Sequence, residues 1–332
     1  MADFARAVLL AAHLLTTAAA CAAPACAVWI VLRPKLRDRF VELPGRLVMA
    51  GIYALVAGAL VGGASLSFFL ATENQPYLDV LARIPAYDLS MLLSEWGFTL
   101  VLYGVMAWMS RGWIRRPRLF AVVGIIAVMN LAYHFPTIMT VIGAEANATT
   151  FVGDEPFNRA AFRERIVAPL PIARTLHFWA LAVTVGGLLV ALASRKEQLG
   201  DQGGPLTAMA ARGMLVGLGL QAASGVLVLT ISPASTSRAM TGENPLSTAA
   251  LLAAVAMVLV GGFHLLRVAF ISDERLQTTR LAVAITMTVL LMCVATLHSR
   301  PTISAKKPLD HFRDSQPEMA ERQEDTLQGR TL

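Results

Sequence analysis

The chain has 332 residues, of which 56% are hydrophobic and 15% charged, with a mean hydropathy of +0.59. A water-soluble domain cannot bury that much apolar surface, least of all when it is gathered into blocks of about 20 residues, so a soluble globular fold is excluded. The net charge of +6 does not point to nucleic acid, because the basic residues follow the connections between those blocks.

Eight apolar blocks run in order over roughly 7–32, 47–71, 90–109, 119–142, 170–193, 211–232, 247–270 and 280–298. Each is long enough to cross a hydrocarbon core of about 30 Å as a helix, and helices are expected because lipid offers the backbone no hydrogen-bond partners. The expected fold is therefore all-α, a polytopic membrane protein with eight transmembrane helices. The first block has small residues that suit a signal-peptide cleavage site. Its apolar run nevertheless continues through Trp29 to Leu32 and only then meets "RPKLRDR", so it reads as a span.

The connections carry the topology. Arg33, Lys35, Arg37 and Arg39 follow span 1, Arg111, Arg115, Arg116 and Arg118 follow span 3, Arg195 and Lys196 follow span 5, and Arg267 and Arg275 follow span 7. The positive-inside rule places these in the cytoplasm and both termini outside, as expected in a bacterial inner membrane. On the opposite side, "QPYLDVLARIP" and "GDEPFNRAAFRERIV" read as short surface helices, the second with Asp154 as a cap and Pro156 in its first turn. Residues 303–332, including His311, are polar and read as a loosely ordered tail.

The chain also has an internal period. His13 to His134 and His177 to His298 are both 121 residues (134 − 13 and 298 − 177), so the two pairs are offset by 164 (177 − 13). Arg46 and Arg212 each open an R-x-x-x-x-G pattern ending at Gly51 and Gly217, at the nearby offset of 166 (212 − 46). This predicts two tandem four-helix repeats, 1–142 and 170–302, joined by 143–169. Four spans per unit is an even number, so the repeats are expected in parallel orientation. Each unit closes on a histidine ahead of Pro-Thr-Ile, "HFPTI" and "HSRPTI", where Pro136 and Pro301 are expected to end the spans.

On this topology His13, His134, His177 and His298 all lie in the outer third of the membrane. Ionisable groups there are costly and usually face a bundle interior or a site. Two neutral imidazoles on facing helices are what a b-type haem requires, so His13 with His134 and His177 with His298 are candidate axial pairs for one or two haems. Arg174 and Arg300 would meet the propionates, and Asn130, one turn before His134, could orient that ring or a water. Copper or another metal at the same histidines, and histidines acting only as interhelical hydrogen-bond partners, are the competing readings. His264 has no histidine partner at its depth. Three cysteines and no C-x-x-C-H exclude covalent c-type haem. The 14 methionines are scattered as core residues are, Glu95 at the outer end of span 3 is a candidate proton relay, and Gln221 suits helix packing.

Span 5, "LHFWALAVTVGGLL", resembles the signature helix of CopD-like membrane proteins and, more broadly, of four-helix b-type cytochromes. His177 is followed nine and ten residues later by Gly186 and Gly187, with Thr184 where that family usually carries a tryptophan. The resemblance implies either copper handling near the outer face or b-haem electron transfer. The leading expectation is a membrane-embedded b-type haem protein exchanging electrons with a quinone or a periplasmic redox protein, whether or not as the subunit of an oxidoreductase. A copper permease and a silent anchor for other membrane subunits are the alternatives.

Overall fold

The computed structural model describes residues 2–72, 75–111, 114–145, 157–194, 204–271 and 276–299, and at Ala2, Gln75, Pro76, Asp79, His134, Phe135, Gly204 and Pro205 it describes the backbone alone. Arg300, the residues from 301 onward with His311, and the 146–156 stretch with Asp154 and Pro156 lie outside the described residues.

Every described element is helical. Eight helices are long and apolar enough to cross a membrane: α1 (Ala2–Val31), α3 (Leu43–Ala71), α5 (Ala86–Met109), α6 (Pro117–Glu145), α8 (Pro169–Ala193), α9 (Gly204–Ile231), α11 (Pro245–Phe270) and α12 (Thr278–His298). This is an integral membrane protein fold. Among the described residues, four short α-helices lie between them, α2 (Pro34–Arg39), α4 (Gln75–Arg83), α7 (Arg159–Ile166) and α10 (Ala234–Arg238), with a π-helical turn over Ala239–Glu243.

The packing falls into two sets of four. In the first, α1 packs on α3, α3 on α5, α5 on α6, and α6 returns to α1. In the second, α8 packs on α9, α9 on α11, α11 on α12, and α12 touches α8 more lightly. The sets meet where α1 lies against α8 and α12, and α8 against α6 and α3. Small residues make close approach possible: Ala22 and Cys26 of α1 face Gly186 of α8, and Ala18, Ala20, Cys21, Ala23 and Ala27 of α1 are buried as well. Between helices in lipid, close backbone approach supplies much of the attraction.

The Gly186–Gly187 pair works in two directions at once. A Cβ on Gly186 would lie 3.1 Å from Cys26 Sγ and 3.3 Å from Ala22 Cβ, both on α1. A Cβ on Gly187 would lie 2.6 Å from Met214 Cγ and 2.8 Å from the Ala210 carbonyl, both on α9. The pair thus lets α8 approach two different neighbours, α1 through Gly186 and α9 through Gly187. Gly217 completes the α8–α9 crossing, because a Cβ there would overlap Thr184.

Two prolines sit inside spans rather than at their ends. α1 contains Pro24, and α6 contains Pro136 and continues to Glu145, so Pro136 does not close the span as its place in "HFPTI" suggested. A proline in a helix removes an N–H and strands the carbonyl four residues earlier, at a cost of about 3 kcal/mol. Both stranded carbonyls have a new partner on another helix. Tyr103 Oη of α5 donates to Ala20 O at 2.7 Å, and Trp179 Nε1 of α8 donates to Ala132 O at 3.0 Å. Such replacement donors are what allow proline within a membrane helix.

The helix ends are also tied together. Arg46 donates to the Ala193 carbonyl at the last residue of α8 (3.1 Å), and Arg212 donates twice to the Ala269 carbonyl near the end of α11 (3.2 and 3.1 Å). Both arginines of the R-x-x-x-x-G pattern therefore serve carbonyls at the C-terminus of a neighbouring helix, where positive charge also suits the helix dipole. At the opposite end, Arg6 donates to Thr72 Oγ1 (3.0 Å), tying the start of α1 to the end of α3. Asn244 caps α11 and donates to the His298 carbonyl (2.9 Å), while Ser247 Oγ donates to the Ala295 carbonyl (2.8 Å). The end of α12 is thereby fixed.

The first set also carries a small second core at this end. Val80 of α4, Ile84 just after it, Phe162 of α7, and Phe157 bury against Leu92, Ile138, Val141 and Ile142. Arg83 and Arg165 lie over the Phe157 ring at 4.3 and 4.7 Å, and Arg165 pairs with Glu145. The cap of α7 is Asn158, whose Oδ1 accepts from Ala161 N at 2.8 Å, so the helix starts later than the Asp154 signal placed it.

Candidate histidine centres

α1 carries His13 two turns or so from its start, and α8 carries His177 similarly, while His134 and His298 come late in α6 and α12. Neighbouring spans run in opposite directions, and the Arg6–Thr72 and Asn244–His298 ties join the helix ends concerned. All four histidine positions therefore belong to one end of the bundle.

His13 is half-buried against α3, with Nδ1 3.0 Å from the Gly58 carbonyl. A carbonyl only accepts, so Nδ1 holds the proton. A Cβ at Gly62, one turn further along α3, would lie 2.9 Å from His13 Cε1. The ring therefore rests on bare backbone, which no other residue type would leave open.

His177 repeats the arrangement on α9. Its Nδ1 lies 3.0 Å from Ser224 Oγ, whose hydroxyl points to the Leu220 carbonyl (2.7 Å) with the Gln221 carbonyl at 3.3 Å. The serine proton is thus committed to its own helix, and the oxygen accepts from Nδ1–H. A Cβ on Gly225 would stand 3.4 Å from His177 Cε1. His298 completes the set: its Nδ1 lies 2.9 Å from the Val294 carbonyl one turn earlier in α12.

All three described rings thus share one tautomer, with Nδ1–H donated to an oxygen and the Nε2 lone pair left over. That is the usual preparation of an imidazole for metal binding: the hydrogen bond fixes the ring and raises the basicity of the other nitrogen. The backbone places His134 one turn beyond Asn130; its side chain is outside the described residues. Asn130 spends both amide hydrogens on α5, donating to Glu95 O (2.9 Å) and Thr99 Oγ1 (2.8 Å), which redirects the expected role of Asn130 from the histidine to the α5–α6 contact.

Space opens beside the rings. Leu47, Gly51, Leu55 and Gly58 form a buried stripe on α3, but its continuation, Gly62, Ser65 and Phe69, is half-exposed. On α9 the same change occurs between Ala210, Met214 and Gly217, which are buried, and Gln221, Ser224 and Val228, which are not. The two stripes lose their cover toward the histidine end.

Positive charge is present there too. Arg174 is half-buried on α8, its Nη1 3.7 Å from the place a Cβ would take on Gly143 of α6. Arg6, which the sequence reading passed over, lies seven residues before His13 and so on the same helix face (13 − 6). Its Nη1 and Nη2 serve Asp3 and Thr72, while its buried Nε has no partner among the described residues. An arginine with an unspent buried donor suits a carboxylate. Glu95 is buried in α5, only 9% exposed. His264 is half-buried in α11 at the other end, with a buried Nε2 that has no partner among the described residues.

Among the described residues no three His, Cys, Asp or Glu side chains converge into a metal-ligand group. A two-imidazole centre asks for none. Neither protein-family models, nor curated proteins, nor solved structures give a match to this chain.

Proposed function

We propose that this chain is a membrane-embedded b-type haem protein that exchanges electrons near the end of the bundle carrying the histidines. The carrying observation is the common tautomer of His13, His177 and His298, each with Nδ1–H anchored and Nε2 available. His13 with His134, and His177 with His298, would supply the axial nitrogens. Bound between such a pair, haem supplies a one-electron couple whose potential the protein sets through the imidazole hydrogen bonds and the surrounding polarity. Gly62 and Gly225 let the ring edges come close to their neighbouring helices. Arg6 and Arg174 hold positive charge for the haem carboxylates.

Two offsets support reading the spans as a parallel tandem repeat. The Ala22–Gly186 contact between α1 and α8 joins residues 164 apart (186 − 22), the offset of the histidines themselves. The histidine anchors Gly58 and Ser224 differ by 166 (224 − 58), the offset of Arg46 and Arg212. Contact between equivalent positions of α1 and α8 is what a two-fold axis along the membrane normal produces. On the positive-inside reading of the basic connections, the histidine end faces outward from a bacterial inner membrane, toward a quinone or a periplasmic redox protein.

The deciding experiment is a visible spectrum of the detergent-solubilised protein, expressed with adequate haem, together with iron and copper analysis of the same sample. A Soret band with two irons per chain is expected, falling to about half in His13→Ala and in His177→Ala. Stoichiometric copper and no Soret band would replace haem by copper at the same nitrogens.

A further inference from the structure

We infer that the end of the bundle opposite the histidines holds a phospholipid headgroup that carries both a primary ammonium and a phosphate, as phosphatidylethanolamine does. The inference needs only the membrane fold and is independent of the haem reading. A cavity of about 500 Å³ opens there, lined by Glu42, Gly45, Arg46, Met49 and Tyr53 along α3 and by Ser110 just past α5. Gly45 is 13 residues, about 20 Å along the helix, from the Gly58 carbonyl that anchors His13 (58 − 45). The polar groups of the cavity stand at the ends of two spans, where hydrocarbon gives way to headgroups. Met49 and Tyr53 lie deeper on the same helix face and are 37% and 68% exposed, so the cavity opens sideways onto the acyl chains.

The chemistry of the mouth selects the headgroup. Arg46 is held by the Ala193 carbonyl at 3.1 Å and pairs with Glu42 Oε2 at 2.6 Å. A cation and an anion in contact at one cavity match a headgroup that carries both charges. Ser110 Oγ donates to the Ala107 carbonyl at 2.9 Å, which leaves its oxygen as an acceptor. A Cβ on Gly45 would lie 3.2 Å from that oxygen, so glycine keeps it uncovered. Glu42 and Ser110 thus accept from an ammonium N–H, and Arg46 brings positive charge to the phosphate. A quaternary ammonium has no N–H to give, and a purely anionic headgroup meets Glu42 with nothing to offer it. The arginine's own role explains neither Glu42 nor Gly45. At the same steps from Arg212 stand Ala208 and Ala211 (212 − 4 and 212 − 1), yet Arg212 still reaches the Ala269 carbonyl of a neighbouring helix. Glu42 is the N-cap residue of α3, but its side chain makes no capping bond.

The test is native mass spectrometry of the full-length protein, delipidated in detergent and offered equal amounts of dioleoyl phosphatidylethanolamine, phosphatidylcholine and phosphatidylglycerol. The ethanolamine lipid should be retained over each competitor by about five-fold, the order of one exposed charged contact. Glu42→Gln and Ser110→Ala should each reduce that preference, and Gly45→Ala, which covers the serine oxygen, should reduce it too. Equal retention of the three lipids by the wild type would mean an unselective lipid shell and overturn the inference. A preference for phosphatidylglycerol would overturn it as well, since the basic connections alone would then attract the lipid. So would a preference that survives Glu42→Gln unchanged. Glu42 is 76% exposed, so this variant decides even if Gly45→Ala fails to fold. None of these outcomes bears on the visible spectrum, which tests the haem reading separately.

Discussion

The two sets of four helices hold the same histidine frame by different means. The first set uses prolines whose stranded carbonyls are met by Tyr103 and Trp179, a polar node at Asn130, and a cover built from α4 and α7. The second relies on glycines that let backbone meet backbone, Gly187 against Ala210 and Gly217 against Thr184, where Gly124 of the first set meets the side chains of Val28 and Met106, and on a connection in which α10 runs into a turn at 239–243 with Gly242 at φ 153°. What recurs in both is confined to points where helices touch: the arginine at a neighbour's C-terminus, the glycine at a crossing, and the histidine anchored on the next helix. The lesson is that interhelical contacts, and not the helices' general composition, carry the shared design.

The sharpest way to break this comparison is at the crossing glycines. A Cβ at Gly217 would meet the backbone of Thr184 at 2.6 Å (N) and 2.9 Å (Cα), whereas at Gly51 its nearest neighbour would be Pro24 Cδ at 3.2 Å. Gly217→Ala should therefore cost about 3 kcal/mol or more and Gly51→Ala about 1 kcal/mol, read from thermal or denaturant unfolding in detergent. Equal losses would show that the backbone contact at Gly217 yields as readily as the side-chain contact at Gly51.

A middle-sized effect is expected at the proline partners. Tyr103 is fully buried, so Tyr103→Phe leaves the Ala20 carbonyl orphaned and should cost about 2 kcal/mol. Trp179 is 40% exposed, and Trp179→Phe should cost about 1 kcal/mol, or less if a solvating group reaches Ala132. The reverse order would mean that α6, not α1, depends more on its replacement donor. The smallest change is Thr99→Val, at about 0.5 kcal/mol, because Asn130 keeps its bond to the Glu95 carbonyl. A loss above 2 kcal/mol there would make the node a main support of the first set.

The spans were legible because twenty apolar residues in a row leave few other possibilities. So were the short helices over 75–83 and 159–166, whose polar and apolar residues alternate at helical spacing. α2 was not, since six residues starting at a proline and rich in charge read equally well as loop. The passage of α6 through Pro136 was hidden for a different reason. Proline's local rule forbids it, and the donor that overrides the rule, Trp179, is 43 residues further on (179 − 136). The histidines could be picked out by spacing alone, but their Nδ1 partners could not, although Gly58 and Ser224 share the 166 offset already visible at Arg46 and Arg212. Arg6 counted only as one of the few outer-side arginines, because a charge near the start of a span looks like an ordinary interfacial residue.

The contact between Ala22 and Gly186 has a geometric consequence. Each lies nine residues from its own helix's histidine (22 − 13 and 186 − 177), an arm of about 13–14 Å at the rise of an α-helix. Two equal arms on one pivot keep His13 and His177 level with each other whatever the splay between α1 and α8. A change in that angle would alter the gap between the two rings without tipping either out of its plane across the bilayer.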